Sequence, residues 1–157
     1  MSELNPDIAI DCIEKILAAE NLAEQINRAD VVVDCTDNFA TRFAINAACV
    51  AAKVPLVSGA AIRLEGQVAV FDARVESSPC YRCLYEEDSD DATCAANGVL
   101  APLVGIIGSM QALETIKLIC GFGTGLTGRL LLLDARHMQW REMKLPKDNQ
   151  CPVCGSP

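Results

Sequence analysis

Histidine is nearly absent from this 157-residue sequence: His137 is the single one, and it falls in a turn between two predicted strands. A Ser-His-Asp or Cys-His mechanism therefore has little to build from. Aromatic residues make up only 4%, so a core must be built from small aliphatic side chains, as is common in α/β folds. Basic residues are scarce too. Thirteen Lys and Arg stand against 21 Asp and Glu, a net charge of −8. Nucleic acid is thereby excluded as a main partner, because phosphate binding needs clustered cations. No uninterrupted run of about 18 apolar residues occurs, so no membrane span is expected. The opening residues MSELNPDIAI hold neither a basic stretch nor a long apolar one, and no secretory signal is read there.

What is present is apolar mass and sulfur. Hydrophobic residues reach 51%, enough for a sizeable core, and the length suits one domain. Nine cysteines, an odd number, fit a reducing, cytoplasmic compartment and metal binding or catalysis better than a disulfide framework.

The chain is organised around residues 29–42, ADVVVDCTDNFATR. Val31, Val32 and Val33 read as a strand buried on both faces. A polar turn, 34–38, follows, then an alanine-rich helix over 40–52. In open α/β sheets ligands sit beyond the carboxyl ends of the strands, and Asp37 and Asn38 are placed there. The alternative is that one of them merely caps the helix.

Around this unit, 7–13 alternates as a half-buried strand and 18–28 is helical, with Leu22 and Ile26 four apart. Residues 54–58, extended by 61–64, and residues 67–72 are strands able to pair as a hairpin, with Gly66 in the turn. The stretch 76–98 contains Cys80, Cys83, an acidic run and Cys94, and reads as an exposed crossover segment, mobile at its centre. Residues 99–120 predict a long buried helix, with Gly105 and Gly108 allowing close packing. The glycine run from 121 follows a helix rather than a strand, so it reads as a C-cap and loop and not a phosphate cradle. Residues 129–134 and 139–145 are partner strands.

Two C-x-x-C sequences, Cys80/Cys83 and Cys151/Cys154, can together present four thiolates to one tetrahedral ion, which predicts a structural zinc site. Thioredoxin-like redox chemistry is the alternative. Cys12, Cys35, Cys49 and Cys120 lie in apolar or strand contexts and read as small core residues. Cys94, in a polar loop, is either an activated nucleophile or an inert thiol.

Several of these segments carry a resemblance. DCTDN at 34–38 followed by TR, PLVSGAAIRLEGQ at 55–67, CYRCL at 80–84, TCAANGVLAPLVGIIGSMQALETIK at 93–117 and the terminal CPVCG resemble the MoeB/ThiF/HesA family, relatives of the ubiquitin-activating enzymes. The resemblance implies an incomplete Rossmann-like mixed sheet with flanking helices and a four-cysteine zinc knuckle. It implies ATP-dependent adenylation of the C-terminal glycine of a ubiquitin-like sulfur carrier, of the molybdopterin-synthase type or else of the thiamine pathway. Asp37 then matches an aspartate near magnesium and the triphosphate, where a carboxylate suits Mg²⁺. Asn38 belongs to the same nucleotide-contacting turn. Cys80, Cys83, Cys151 and Cys154 match zinc ligands, and Cys94 matches a crossover-loop cysteine that in some members forms a sulfur linkage to the carrier. Homodimers are the family's habit.

One departure stands out. The family's G-x-G-x-x-G strand–turn–helix, with the acidic residue, arginine and lysine that follow it, has no match here, and residues 4–6 correspond to the point just after them. The expectation is a single domain over 1–157 forming the C-terminal portion of such an adenylyltransferase, inactive alone, with ATP and Mg²⁺ belonging to the whole enzyme. A non-catalytic carrier-binding module and a sulfur-relay protein are the rivals.

Overall fold

A computed structural model describes residues 3–86 and 98–155. Five strands form one mixed sheet in the order β1-β2-β3-β4-β5. The chain runs through α1 (Ala19–Asn27), β1 (Val32–Asp34), α2 (Phe39–Ala52), β2 (Leu56–Ile62), β3 (Glu65–Phe71), a one-turn α3 (Tyr81–Leu84), α4 (Ala101–Cys120), β4 (Arg129–Asp134) and β5 (Gln139–Lys144). The β1–β2 pair is parallel, joined through α2, and the other three pairs are antiparallel.

Alternation along the central strands divides the core in two. Leu56, Ala69, Phe71 and Leu130 point to one face and pack with Ile26, Ile45 and Cys49 of α1 and α2. Val57, Val68, Val70 and Leu133 point to the other and pack under Leu103 and Ile107 of α4. Helices thus cover both faces, the α/β arrangement expected from the sequence.

Several expectations are corrected. Residues 7–13 are irregular rather than a strand, and Ile8, Ile10 and Ile13 are exposed. Alternation makes a strand only where a sheet edge accepts it, and among the described residues none does. β1 is an edge strand, and Val33 is 41% exposed, so the valine run is not buried on both faces. The hairpin turn is made by Arg63 and Leu64, with Arg63 left-handed at φ 51°, while Gly66 lies inside β3 opposite Ala61. The stretch 76–98 is not exposed throughout: Ser78, Cys80 and Tyr81 are buried. Its acidic centre, with Cys94, lies outside the described residues.

The long helix is confirmed, but its burial is one-sided. Leu103, Ile107, Gln111 and Glu114 face the sheet, whereas Val104, Leu113, Ile116 and Ile119 are exposed. By length and composition α4 would pass for a membrane-crossing helix. In the fold it lies against β2 and β3 with two polar side chains on its buried side. A Cβ added at Gly105 or Gly108 would meet nothing within 4 Å, so neither glycine serves close packing among the described residues. Gly121 ends the helix at φ 66°, as a C-cap glycine should.

Candidate functional site

β1 ends at Asp34, and the chain turns at once. Asp34 Oδ1 accepts from the Thr36 N–H at 2.9 Å and from the Thr36 hydroxyl at 2.7 Å, an Asx-type turn that competes with further extension of the strand. Asn38 then starts α2: its Oδ1 accepts from the Thr41 N–H at 2.9 Å. The cap predicted for this position is therefore Asn38, and Asp37 is left exposed on the turn.

Arg42, buried one turn into α2, ties the turn down. Its Nη2 donates to the carbonyls of Thr36 and, at 3.0 Å, Gly59, while Nη1 lies 3.9 Å from Asp34 Oδ2. Gln111 reaches across from α4 and donates to the carbonyls of Asp34 at 2.8 Å and Val57 at 3.3 Å. It also accepts the Cys35 thiol at 3.6 Å. Gly59 leaves room for this: a Cβ there would lie 2.3 Å from Gln111 Cδ.

Above these groups opens a cleft of about 380 Å³, lined by the turn from Cys35 to Phe39, the hairpin, α3 and α4. Asp37 and Asn38 are on its wall, and Gly59, Ala60, Ala61 and Gly66 give it small side chains. It lies beyond the carboxyl end of β1, where α/β sheets place their ligands, and beside the α2 N-terminus, which favours anions. One exposed carboxylate facing such a helix end suits a divalent cation carrying phosphate.

The second constellation is sulfur. Cys80, Cys83, Cys151 and Cys154 bring their Sγ atoms within 4.8 Å of one another. Cys80 and Cys151 are 3.7 Å apart, Cys83 and Cys154 3.4 Å. A tetrahedral ion with metal–sulfur bonds of about 2.3 Å separates its sulfurs by about 3.8 Å, so this donor set fits zinc. Local geometry supports it: the Cys80 N–H points to Cys83 Sγ at 3.5 Å, and the Gly155 N–H bonds the Cys151 carbonyl at 2.8 Å. A Cβ at Gly155 would come within 2.5 Å of that carbonyl, so the knuckle requires glycine. Burial pushes the Cys80 thiol above its ordinary range. At Cys151 burial acts the same way, but the N–H groups of Cys154 and Val153 and the neighbouring thiols outweigh it and draw the thiol down.

The remaining predicted residues divide. Cys49 is a core thiol, pushed up to about 12 chiefly by burial. Cys12, Cys35 and Cys120 are exposed, not core residues. His137 bonds Asp134 at 2.9 Å in an exposed turn and is not on the cleft wall. Arg42, Gln111, Gly59 and Asn46 were missed. Only Arg42 and Asn46 carried a signal, since they follow Asn38 at intervals of four along one helix face.

The ThiF family model matches residues 1–153. The chain is 49% identical over 156 residues to molybdopterin-synthase adenylyltransferase of Escherichia coli K12, covering 99% of this chain and 62% of that protein. It is 44% identical to the sulfur carrier protein ThiS adenylyltransferase of the same organism, covering 99% of this chain and 61% of that one. Against the adenylyltransferase and sulfurtransferase MOCS3 of Aedes aegypti the identity is 45%, over 36% of that protein. The chain thus spans about three-fifths of its bacterial relatives' length. Among solved structures, E. coli MccB with ATP superposes with a TM-score of 0.80 at 17% identity, over 99% of this chain and 48% of MccB, which shows the shared fold.

Proposed function

We propose that this chain, which belongs to the ThiF family, supplies the carrier-binding and cation-binding side of an ATP-dependent adenylation. The substrate would be the C-terminal glycine of a ubiquitin-like sulfur carrier of the molybdopterin-synthase type. The observation that carries this reading is the exposed Asp37 carboxylate on the wall of the cleft at the end of β1. Identity is higher to the molybdopterin-synthase relative than to the ThiS one, which favours the molybdenum cofactor pathway over the thiamine pathway.

In this reaction a carrier carboxylate oxygen attacks the α-phosphorus of ATP. The bond to the bridging oxygen breaks, and pyrophosphate leaves with the electron pair. The nucleophile is already ionised at neutral pH, so no general base is required, consistent with a cleft wall without histidine among the described residues. Magnesium would neutralise charge on the triphosphate. Asp37 would hold that cation, and Asn38 would present the α2 N-terminus to the phosphates. Arg42 and Gln111 keep the turn in place from below. The small residues of the hairpin leave room for a glycine tail. The four cysteines would hold a structural zinc and fasten α3 to the C-terminal segment. Cys94 would lie in the carrier-facing crossover, and a homodimer is the proposed assembly.

Carrier-dependent ATP–pyrophosphate exchange tests the reading. It is measured on a polypeptide holding these 157 residues together with a glycine-rich strand–turn–helix. Exchange should need a carrier with its terminal glycine and be faster with the molybdopterin-synthase carrier than with the thiamine one. Exchange with neither carrier would refute it.

A further inference from the structure

Asn46 is 1% exposed, in the third turn of α2. A buried carboxamide must satisfy both its oxygen and its nitrogen. Its Oδ1 accepts the Tyr81 N–H at 2.8 Å, and its Nδ2 lies 3.6 Å from Cys80 Sγ. The first bond fixes the second. A backbone N–H demands an acceptor, so the amide cannot be turned over, and the NH₂ must face the sulfur. Asn46 therefore spans the first residue of α3, Tyr81, and the residue that caps it, Cys80, a member of the sulfur cluster.

We infer that Asn46 is a positioning residue of the metal site, its side-chain N–H donating to the Cys80 thiolate and orienting that ligand. The inference rests on the reading of the four cysteines as metal ligands. Outer hydrogen bonds of this kind fix ligand orientation and tune the metal. A thiolate that accepts an N–H also holds its lone pairs more tightly, so charge transfer from sulfur to metal costs more energy. Asn46 lies four residues beyond Arg42 and eight beyond Asn38. One polar ridge of α2 thus runs from the cleft turn to the sulfur cluster, and the metal knuckle braces the helix whose first turn borders Asp37.

The intact chain loaded with a spin-half cadmium isotope gives the direct test. Scalar coupling through N–H···S bonds should connect the metal to the Asn46 side-chain NH₂ and, as an internal control, to the Cys80 backbone N–H through Cys83. Asn46→Asp keeps an acceptor for Tyr81 and removes the donor. It should weaken zinc in chelator competition by about 10–100-fold and move the cobalt(II)–thiolate charge-transfer band to lower energy. Control couplings without one to Asn46 overturn the inference and leave the metal reading standing. So does a folded N46D with wild-type zinc affinity and an unmoved cobalt band. A chain that takes up no cadmium, zinc or cobalt overturns both.

Discussion

Gly59 shows how one missing methyl group shapes the cleft. The Gln111 carboxamide occupies the space a Cβ would need, 2.3 Å away, and from there satisfies the carbonyls of Asp34 and Val57. Gly59→Ala must displace that side chain and strand buried acceptors, at a cost of about 1–3 kcal/mol. A denaturation midpoint equal to that of the parent would contradict this. Asp72 makes a pH prediction. Burial alone would raise its carboxyl, but the Arg74 hydrogen bonds at 2.8 Å and the Arg74 charge outweigh it and hold it below the usual range. Its folded value is depressed, so its contribution is present above the unfolded value of about 3.9 and lost as pH falls through the folded one. Asp72→Asn should therefore flatten the acid side of the stability curve below about pH 4, read from thermal midpoints across pH. The Gln111 contacts were not legible in the sequence, because they join residues whose pairing depends on where the chain returns, whereas Asp72 and Arg74 stand only two residues apart.

At the scale of elements, α2 is the instructive case. Its span was readable from the alanine-rich run between Asn38 and Pro55, and the hairpin and the β4–β5 pair were readable from alternation. Its polar ridge showed only as the four-residue spacing of Asn38, Arg42 and Asn46, because the partners of Arg42 and Asn46 on β1, β2 and α3 arrive from elsewhere in the chain. The edge position of β1 and the exposed face of α4 escaped for the opposite reason: valine and isoleucine report hydrophobicity, not whether a neighbour covers it. The ridge predicts a ranking. Asn38→Ala removes one cap and should cost about 0.5–2 kcal/mol. Arg42→Met leaves Asp34 buried without its cation and frees two carbonyls, and should cost about 3–5 kcal/mol. Chemical denaturation of the two variants checks the order, and equal losses would contradict the role given to Arg42.

Over the whole molecule, two sites lie along one helix: a cleft at the α2 N-terminus and a sulfur cluster beside its third turn. The cluster was legible because C-x-x-C spacing is local chemistry repeated twice. The cleft was legible only as a turn, since its other walls come from the hairpin, α3 and α4. Metal removal should loosen the segment around Cys151 and Cys154 and α3 while leaving the sheet folded. Hydrogen exchange before and after chelation reads this, and uniform loss of protection across the sheet would contradict it. The central claim concerns Asp37. The most direct measurement is carrier-dependent ATP–pyrophosphate exchange by Asp37→Ala beside the parent, in a polypeptide that also carries the glycine-rich segment. The account predicts a folded variant whose exchange falls by at least about 100-fold, the scale of losing one preorganised electrostatic group. A folded Asp37→Ala that exchanges pyrophosphate at the parent rate would contradict it and leave Asp37 no role in the cleft.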